Sequence, residues 1–270
     1  MNTSVRRTVA AALFALAATT TQAASVTVPA DGLYNGVGYS GSVSLTFDST
    51  ARDVLDNFMV PVSSYGSGTA VAPKDDAGFY LGVASNAPIA SLSVDTATNA
   101  VQGFTATGGI TLTMPVLKGL TTGGALTIAN LQVDQVNQKV YATLIGDNGV
   151  GTLNNFYLFD IKGIPTYDLS GNIVSVDPAT AVVGGASFNS PGTYVTTLNG
   201  LFITSDGLAK LDQALGLLAV PKTAFASIPD FGVITSTLTV GTPVPEPASQ
   251  ALMALGLVGL AFAVQRRRQG

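Results

Sequence analysis

Short runs of alternating apolar and polar residues recur through the middle of the chain. In 41–47, Val43, Leu45 and Phe47 fall on one face and Ser42, Ser44 and Thr46 on the other, the period of a half-buried strand. Residues 110–114 alternate likewise. Residues 125–133 and 139–145 predict two strands joined by a hairpin connection over 134–138. Residues 155–161 and 194–204 are further predicted strands. Gly-, Asn- and Asp-containing clusters at 107–109, 147–149 and 170–172 mark turns.

Two segments change period. In 205–218, Leu208, Leu211, Leu215 and Leu218 recur at spacings of three and four, with Ser205 placed as N-cap. In 51–59, Val54, Leu55, Phe58 and Met59 are spaced similarly, behind Asp48 or Ser49. Each predicted helix precedes a Val-Pro pair, Val60-Pro61 or Val220-Pro221, and Leu55-Asp56 matches Leu211-Asp212 in place. The match is either a duplicated strand–helix unit or coincidence. The pattern predicts a mainly β fold: one antiparallel β-sandwich or barrel-like domain with two short helices over 24–243. That is long enough for one sizeable core.

The two ends read differently. Arg6 and Arg7 precede a ten-residue apolar run, 9–18, too short to span a bilayer. Thr21-Gln22-Ala23 then places small residues before a peptidase site. This is the order of a secretory signal peptide over 1–23, cut between Ala23 and Ala24 by signal peptidase after the general secretory route. At the other end, Val244-Pro245-Glu246-Pro247-Ala248-Ser249 is followed by an apolar stretch and by Arg266, Arg267 and Arg268. A helix over about 248–265 is close to the hydrocarbon thickness, at about 1.5 Å per residue. The three arginines hold its end on the cytoplasmic side, so the body faces outward. The prolines keep the preceding segment extended.

This ordered triplet resembles a PEP-CTERM sorting signal, over about 244–270. The resemblance implies an exosortase that recognises Pro245, Glu246 and Pro247 and removes the tail. It also implies a Gram-negative, exopolysaccharide-making host, anchorage in the inner membrane during sorting, and release to the cell surface or extracellular matrix. Residues 123–151 resemble the HtaA-type surface β-domain: Gly123-Gly124, then 126–134, then Val140-Tyr141-Ala142 and Gly146. That resemblance implies a β-rich fold. Haem capture there relies on Tyr and His, and this chain has no His.

Composition narrows the chemistry. Without Cys or His there is no disulfide, thiolate zinc site, Ser-His-Asp triad or imidazole acid–base group. Between 24 and 243 stand seven Lys or Arg against fifteen Asp, a net of −8, and such a body repels phosphate backbones; nucleic acid is not an expected partner. Glu246 is the only Glu. Lys74 beside Asp75 and Asp76, and Lys210 near Asp212, are the nearest charged groupings to a site, and both read first as solvated turns or helix faces. Asp147-Asn148 and the segment 168–172 read as turns before calcium ligands. Tyr34 and Tyr39, among Gly36, Gly38 and Gly41, form either an exposed sugar-stacking platform or the packed edges of a strand pair.

The expectation is an exported, non-enzymatic surface or matrix protein with no cofactor and no resident metal. Its expected partners are signal peptidase, the exosortase and exopolysaccharide. A carbohydrate-binding module is the second reading, and an Asp-dependent glycan hydrolase the third. The mature N-terminus is predicted at Ala24 or Ser25. N-terminal sequencing of surface-extracted protein checks this, and an intact Met1 would remove the export argument.

Overall fold

The computed structural model describes residues 24–168 and 173–241. In chain order the strands are β1 (Ser25–Pro29), β2 (Gly38–Phe47), β3 (Val62–Tyr65), β4 (Thr69–Val71), β5 (Ala84–Asp95), β6 (Val101–Ala106), β7 (Gly109–Met114), β8 (Gly124–Asp134), β9 (Lys139–Gly146), β10 (Gly151–Ile161), β11 (Ile164–Tyr167), β12 (Ile173–Asp177), β13 (Val182–Val183), β14 (Gly192–Leu198), β15 (Leu201–Ile203) and β16 (Gly232–Gly241). The helices are α1 (Ser49–Asn57), α2 (Ser205–Ala214) and α3 (Ala219–Ala226). Among the described residues, fourteen strands form one curled antiparallel sheet, and β11–β12 is a separate hairpin. The fold is mainly β, as the period-two runs predict.

Two long strands make the sheet curl. The first half of β5 pairs with β2 and β4, and its second half with β1 and β6. The change comes at Pro88, which lacks a ladder N–H, and a register shift between Ile89 and Ser91 follows. In β8, residues 124–129 pair with β7 and residues 132–134 with β6. Between them lies a bulge at Asn130, held at φ 50°. The Asn130 side-chain oxygen accepts from Gly108 N at 3.1 Å, and its backbone N–H donates to Gly108 O at 2.8 Å. Asn tolerates the left-handed region better than a branched residue would. Bending both strands turns the apolar faces inward. Val43, Leu45, Leu92, Ile110, Leu126, Leu144 and Phe159 then join one continuous core.

The helices cover that core. Leu55 of α1, Leu211 of α2 and Phe225 of α3 line one small apolar cavity with Phe47, Leu126 and Phe159. Asp48 caps α1, its carboxylate accepting from Thr50 N at 3.0 Å. The predicted cap of α2, Ser205, is displaced by Thr204. The Thr204 hydroxyl accepts from Gly207 N at 3.0 Å and donates to Tyr157 O at 3.1 Å. The predicted strand over 194–204 divides into β14 and β15, which lie at different places in the sheet. The break is Gly200, at φ 69°, where a Cβ would sit 1.9 Å from Gly163 O.

The third helix, α3, departs from the prediction of two. Val220-Pro221 lies inside its first turn, where a missing N–H costs little. Val60-Pro61 instead leads into β3, so the two Val-Pro pairs occupy unlike structure.

Both α1 and α2 end in a Schellman motif. After α2, Gly216 N donates to Gln213 O at 3.1 Å and Leu217 N to Asp212 O at 3.0 Å, with Gly216 at φ 61°. After α1, Met59 N donates to Asp56 O and Val60 N to Leu55 O, both at 2.9 Å. The left-handed position there is Met59, at φ 53° and 62% exposed. The predicted fourth apolar contact of α1 therefore points to solvent. A side chain in that region costs roughly 1–2 kcal/mol, against which a glycine loses some unfolded-state entropy. Met59→Gly is expected to raise stability by about 1 kcal/mol in urea unfolding of residues 24–241, with an unchanged slope.

Candidate functional site

The signal segment through Ala23, the motif Val244, Pro245, Glu246, Pro247, Ala248 and Ser249, the predicted helix over about 248–265, and Arg266, Arg267 and Arg268 lie outside the described residues. Among the described residues, no helix is long and apolar enough to cross a membrane. The folded body does reach both ends. Ala24 O accepts from Thr96 N at 2.9 Å and from the Thr96 hydroxyl at 2.7 Å, just before β1 pairs with β5. At the other end, β16 lies between β14 and β2, and its last residue, Gly241, is three positions before Val244.

Tyr34 and Tyr39 are packed rather than presented. Tyr39 is buried and donates to Val28 O at 3.0 Å; desolvation, then the charge of Asp31, pushes its phenol up to about 12. Half-buried Tyr34 donates to Asn99 Oδ1 at 2.7 Å. Both rings meet Phe188 edge-on, at centroid distances of 5.3 Å for Tyr34 and 6.3 Å for Tyr39. The packed alternative describes them, and the exposed platform does not.

Most of the charged and turn groupings are tied into the fold, while Asp212 Oδ1 is buried without a hydrogen-bond partner. Lys74 Nζ lies 4.2 Å over the Tyr80 ring, while Asp75 accepts from Ala77 N and Phe79 N within its own turn. Asp147 accepts from Ala125 N, and Asn148 donates to Gly123 O and Ala214 O, tying the turn to α2. The segment after Asp168, residues 169–172, lies outside the described residues. Asp212 takes its favourable electrostatics from Lys222 of α3 and not from Lys210, two residues away on another side of α2. Burial raises the Asp212 carboxyl, and Lys222 partly opposes the rise.

A different aromatic pair stands on the outer face of the sheet. Ser91 of β5, Thr105 of β6, Gln132 of β8, Tyr141 of β9 and Tyr157 of β10 are cross-strand partners in sequence, and so share that face. The next row runs Thr27, Ser93, Gly103, Asp134, Lys139, Asp160, Phe202. Between these rows, Leu92, Phe104, Val133 and Val140 point into the core and hold the face in place.

The Tyr141 and Tyr157 rings are 5.4 Å apart, and Lys139 Nζ lies 4.8 Å over Tyr157. The Tyr157 hydroxyl donates to the Asp160 carboxylate, whose other oxygen is 3.4 Å from Lys162 Nζ. Desolvation first, then that hydrogen bond, pushes the Tyr157 phenol up to about 12, so it stays a neutral donor. Beside the pair, β1, β5, β6 and β8 floor a polar cleft of about 580 Å³, overhung by Val136 and Asn137 of the β8–β9 connection. Gly103 lets β6 and β8 approach closely beneath it: a Cβ there would sit 2.3 Å from Val133 O.

Strict alternation would put Tyr157 with buried Phe159 and Ile161, and the register shift between Tyr157 and Phe159 turns it outward. The outward position of Tyr141 follows from alternation within β9. The adjacency of the two does not, because the β9–β10 register contains two shifts.

Residues 243–268 match the family model described as a PEP-CTERM protein-sorting motif. Nothing among the curated proteins or the solved structures matches the chain. The motif makes this a protein that an exosortase processes and sorts to the cell surface, with export and membrane-anchored sorting before release.

The most buried acid among the described residues serves the fold. Asp230 is 7% exposed, and its Oδ1 accepts from Leu201 N at 2.9 Å and Gly232 N at 2.8 Å, joining the starts of β15 and β16. Burial pushes its carboxyl up to about 6, with Asp48 adding repulsion and the two N–H groups opposing the rise. The native state therefore takes up a proton near pH 6, and the unfolded chain only near pH 4. The contribution of Asp230 to stability is fully present below about pH 4 and lost as pH rises through about 6. Asp230→Asn keeps the acceptor and removes the charge. The stability of Asp230→Asn relative to wild type is expected to grow by on the order of 2 kcal/mol from pH 4 to pH 7. Urea midpoints of both proteins across that range test it, and a constant difference would contradict it.

Proposed function

We propose that this exosortase-sorted protein is a non-enzymatic structural component of the cell surface, lodged in or beside an exopolysaccharide matrix. One observation carries the reading: the sorting motif begins two positions after a central strand of the body. The cargo of the signal is therefore the whole folded domain. Its core is closed by strands from both ends of the described body, which suits a durable extracellular unit.

Two of the fifteen Asp that an Asp-based hydrolase could draw on are engaged within the fold. Asp230 holds two backbone N–H groups, and Asp160 is shared between Tyr157 and Lys162. The exopolysaccharide association extends from the sorting motif. A hydroxyl- and amide-rich outer face agrees with it.

The connection between body and motif is short. From Gly241 to Glu246 an extended chain reaches at most about 18 Å, so the body stays close to the bilayer until the tail is removed. Glu246 lies between two prolines, a sequence that predicts an extended backbone, the conformation protease subsites accept. Glu246→Ala is expected to leave export and folding intact and to block tail removal. The uncut protein should run heavier by the mass of the tail and remain with the inner membrane. Equal processing of the variant and wild type in an exosortase-bearing host would reduce the segment to a simple anchor.

A further inference from the structure

We propose that the outer face bearing Tyr141 and Tyr157 is a binding site for a neutral glycan chain. One sugar ring would lie against the tyrosine pair and its neighbours along the adjoining polar cleft. The proposal rests on the matrix reading above and gives it a molecular contact.

The geometry points to a sugar polymer for three reasons. First, aromatic rings and a polar trough stand side by side. Gln132 both lines the cleft and is the cross-strand partner of Tyr141. Sugars need this combination, because a pyranose has apolar C–H faces and a rim of hydroxyls. Second, the polar lining is mostly of hydroxyls and amides, which both donate and accept, as sugar hydroxyls require. Ser91 and Thr105 bond each other at 2.7 Å, while Thr27, Ser93 and exposed Gln132 carry further polar groups on the same face. Third, the face is long. The four strand intervals from β5 to β10 span about 19 Å at ~4.8 Å each, suited to several linked sugars.

Charge selects among glycans. The carboxylates on this face already have partners: Asn137 donates to Asp134 at 2.9 Å and 2.7 Å, and Asp160 is held by Tyr157 and Lys162. Lys139 stands across the strands from both Asp134 and Asp160, and Lys162 Nζ is 3.4 Å from Asp160, so two lysines balance these two carboxylates and leave little charge to draw a cationic polymer. The body as a whole is strongly acidic, so a polyanion such as a uronate polymer is repelled. A neutral polysaccharide remains.

The site is preorganised. The buried row Leu92, Phe104, Val133 and Val140 fixes the strands beneath it, and Lys139 and Asp160 fix Tyr157 from two sides. Binding then orders few side chains and loses little to entropy.

Native-gel affinity electrophoresis of residues 24–241 tests the proposal, with dextran, laminarin, galactomannan or hydroxyethyl cellulose in the gel and alginate as the anionic comparison. This piece contains every strand partner described above and the complete core. Wild type should be retarded by at least one neutral polymer and not by alginate. Tyr141→Ala and Tyr157→Ala should each weaken that retardation about tenfold, the loss of one ring contact. Tyr141→Phe should migrate as wild type, and Gln132→Ala, at an exposed position that folding tolerates, should weaken retardation partially.

The proposal is overturned by no retardation in any neutral gel, by retardation in alginate alone, or by wild-type retardation of a folded Tyr141→Ala or of Gln132→Ala. Gln132→Ala keeps the test decisive where an alanine in place of a tyrosine unfolds the domain. Failure here leaves delivery, which Glu246→Ala probes, untouched. Conversely, glycan binding in the gel with no matrix association on cells would count against the matrix reading and not against this site.

Discussion

The structure depends on the bending of two strands. β5 and β8 are each long enough to serve two sets of neighbours, and each changes partners where its backbone departs from regular pairing. A straight antiparallel sheet of fourteen strands would leave its apolar face in water. Burying a Leu or Ile side chain is worth roughly 1.5–3 kcal/mol, so the curl recovers a driving force that a flat sheet would forgo. Asn130 is central to this, since its side chain satisfies Gly108 N where the β8 ladder is interrupted. A β-branched residue there would lose that bond and meet the left-handed penalty as well.

Closure of the curled sheet sets the remaining features. The three helices fill its open side, anchored by Leu55, Leu211 and Phe225. Asp230 stitches β15 to β16 from inside, and the depth that makes it a good stitch also makes its charge unfavourable. Neither backbone donor offsets that cost fully, which is why burial pushes the carboxyl up to about 6. Met59 is a similar compromise. It completes a helix stop that places Val60 and Leu55 in the core, at the expense of a conformation suited to glycine.

The same register that turns apolar residues inward assembles a polar row outside. Tyr141 and Tyr157 meet because β9 and β10 are paired, and the cleft beside them exists because β6 contacts β8 only briefly before the sheet turns. The face thus follows from the bend, whereas the sorting motif is independent of the fold and follows the last strand as a separate module.

Alternation in 41–47, 110–114, 125–133 and 139–145 was enough to place β2, β7, β8 and β9, because a half-buried strand must show its period locally. The helices over 51–59 and 205–218 were legible for the same reason, and the sorting motif because its ordered parts are contiguous. The third helix was not, since Pro221 reads as a breaker wherever the first turn is unknown. Nor was the division of 194–204, which needs Gly163 pressed against Gly200. The choice among aromatics was likewise tertiary. Tyr34 and Tyr39 have the glycine-rich neighbours of an open surface, yet Phe188, some 150 residues on, covers them. Tyr141 and Tyr157 look unremarkable in separate strands and become a pair only through a register with two shifts. Sequence alone determined periodicity and the C-terminal sorting motif, which depend on neighbours along the chain. Tertiary structure decided which faces meet, because strand pairing brings together residues whose separation in sequence carries no trace of their contact.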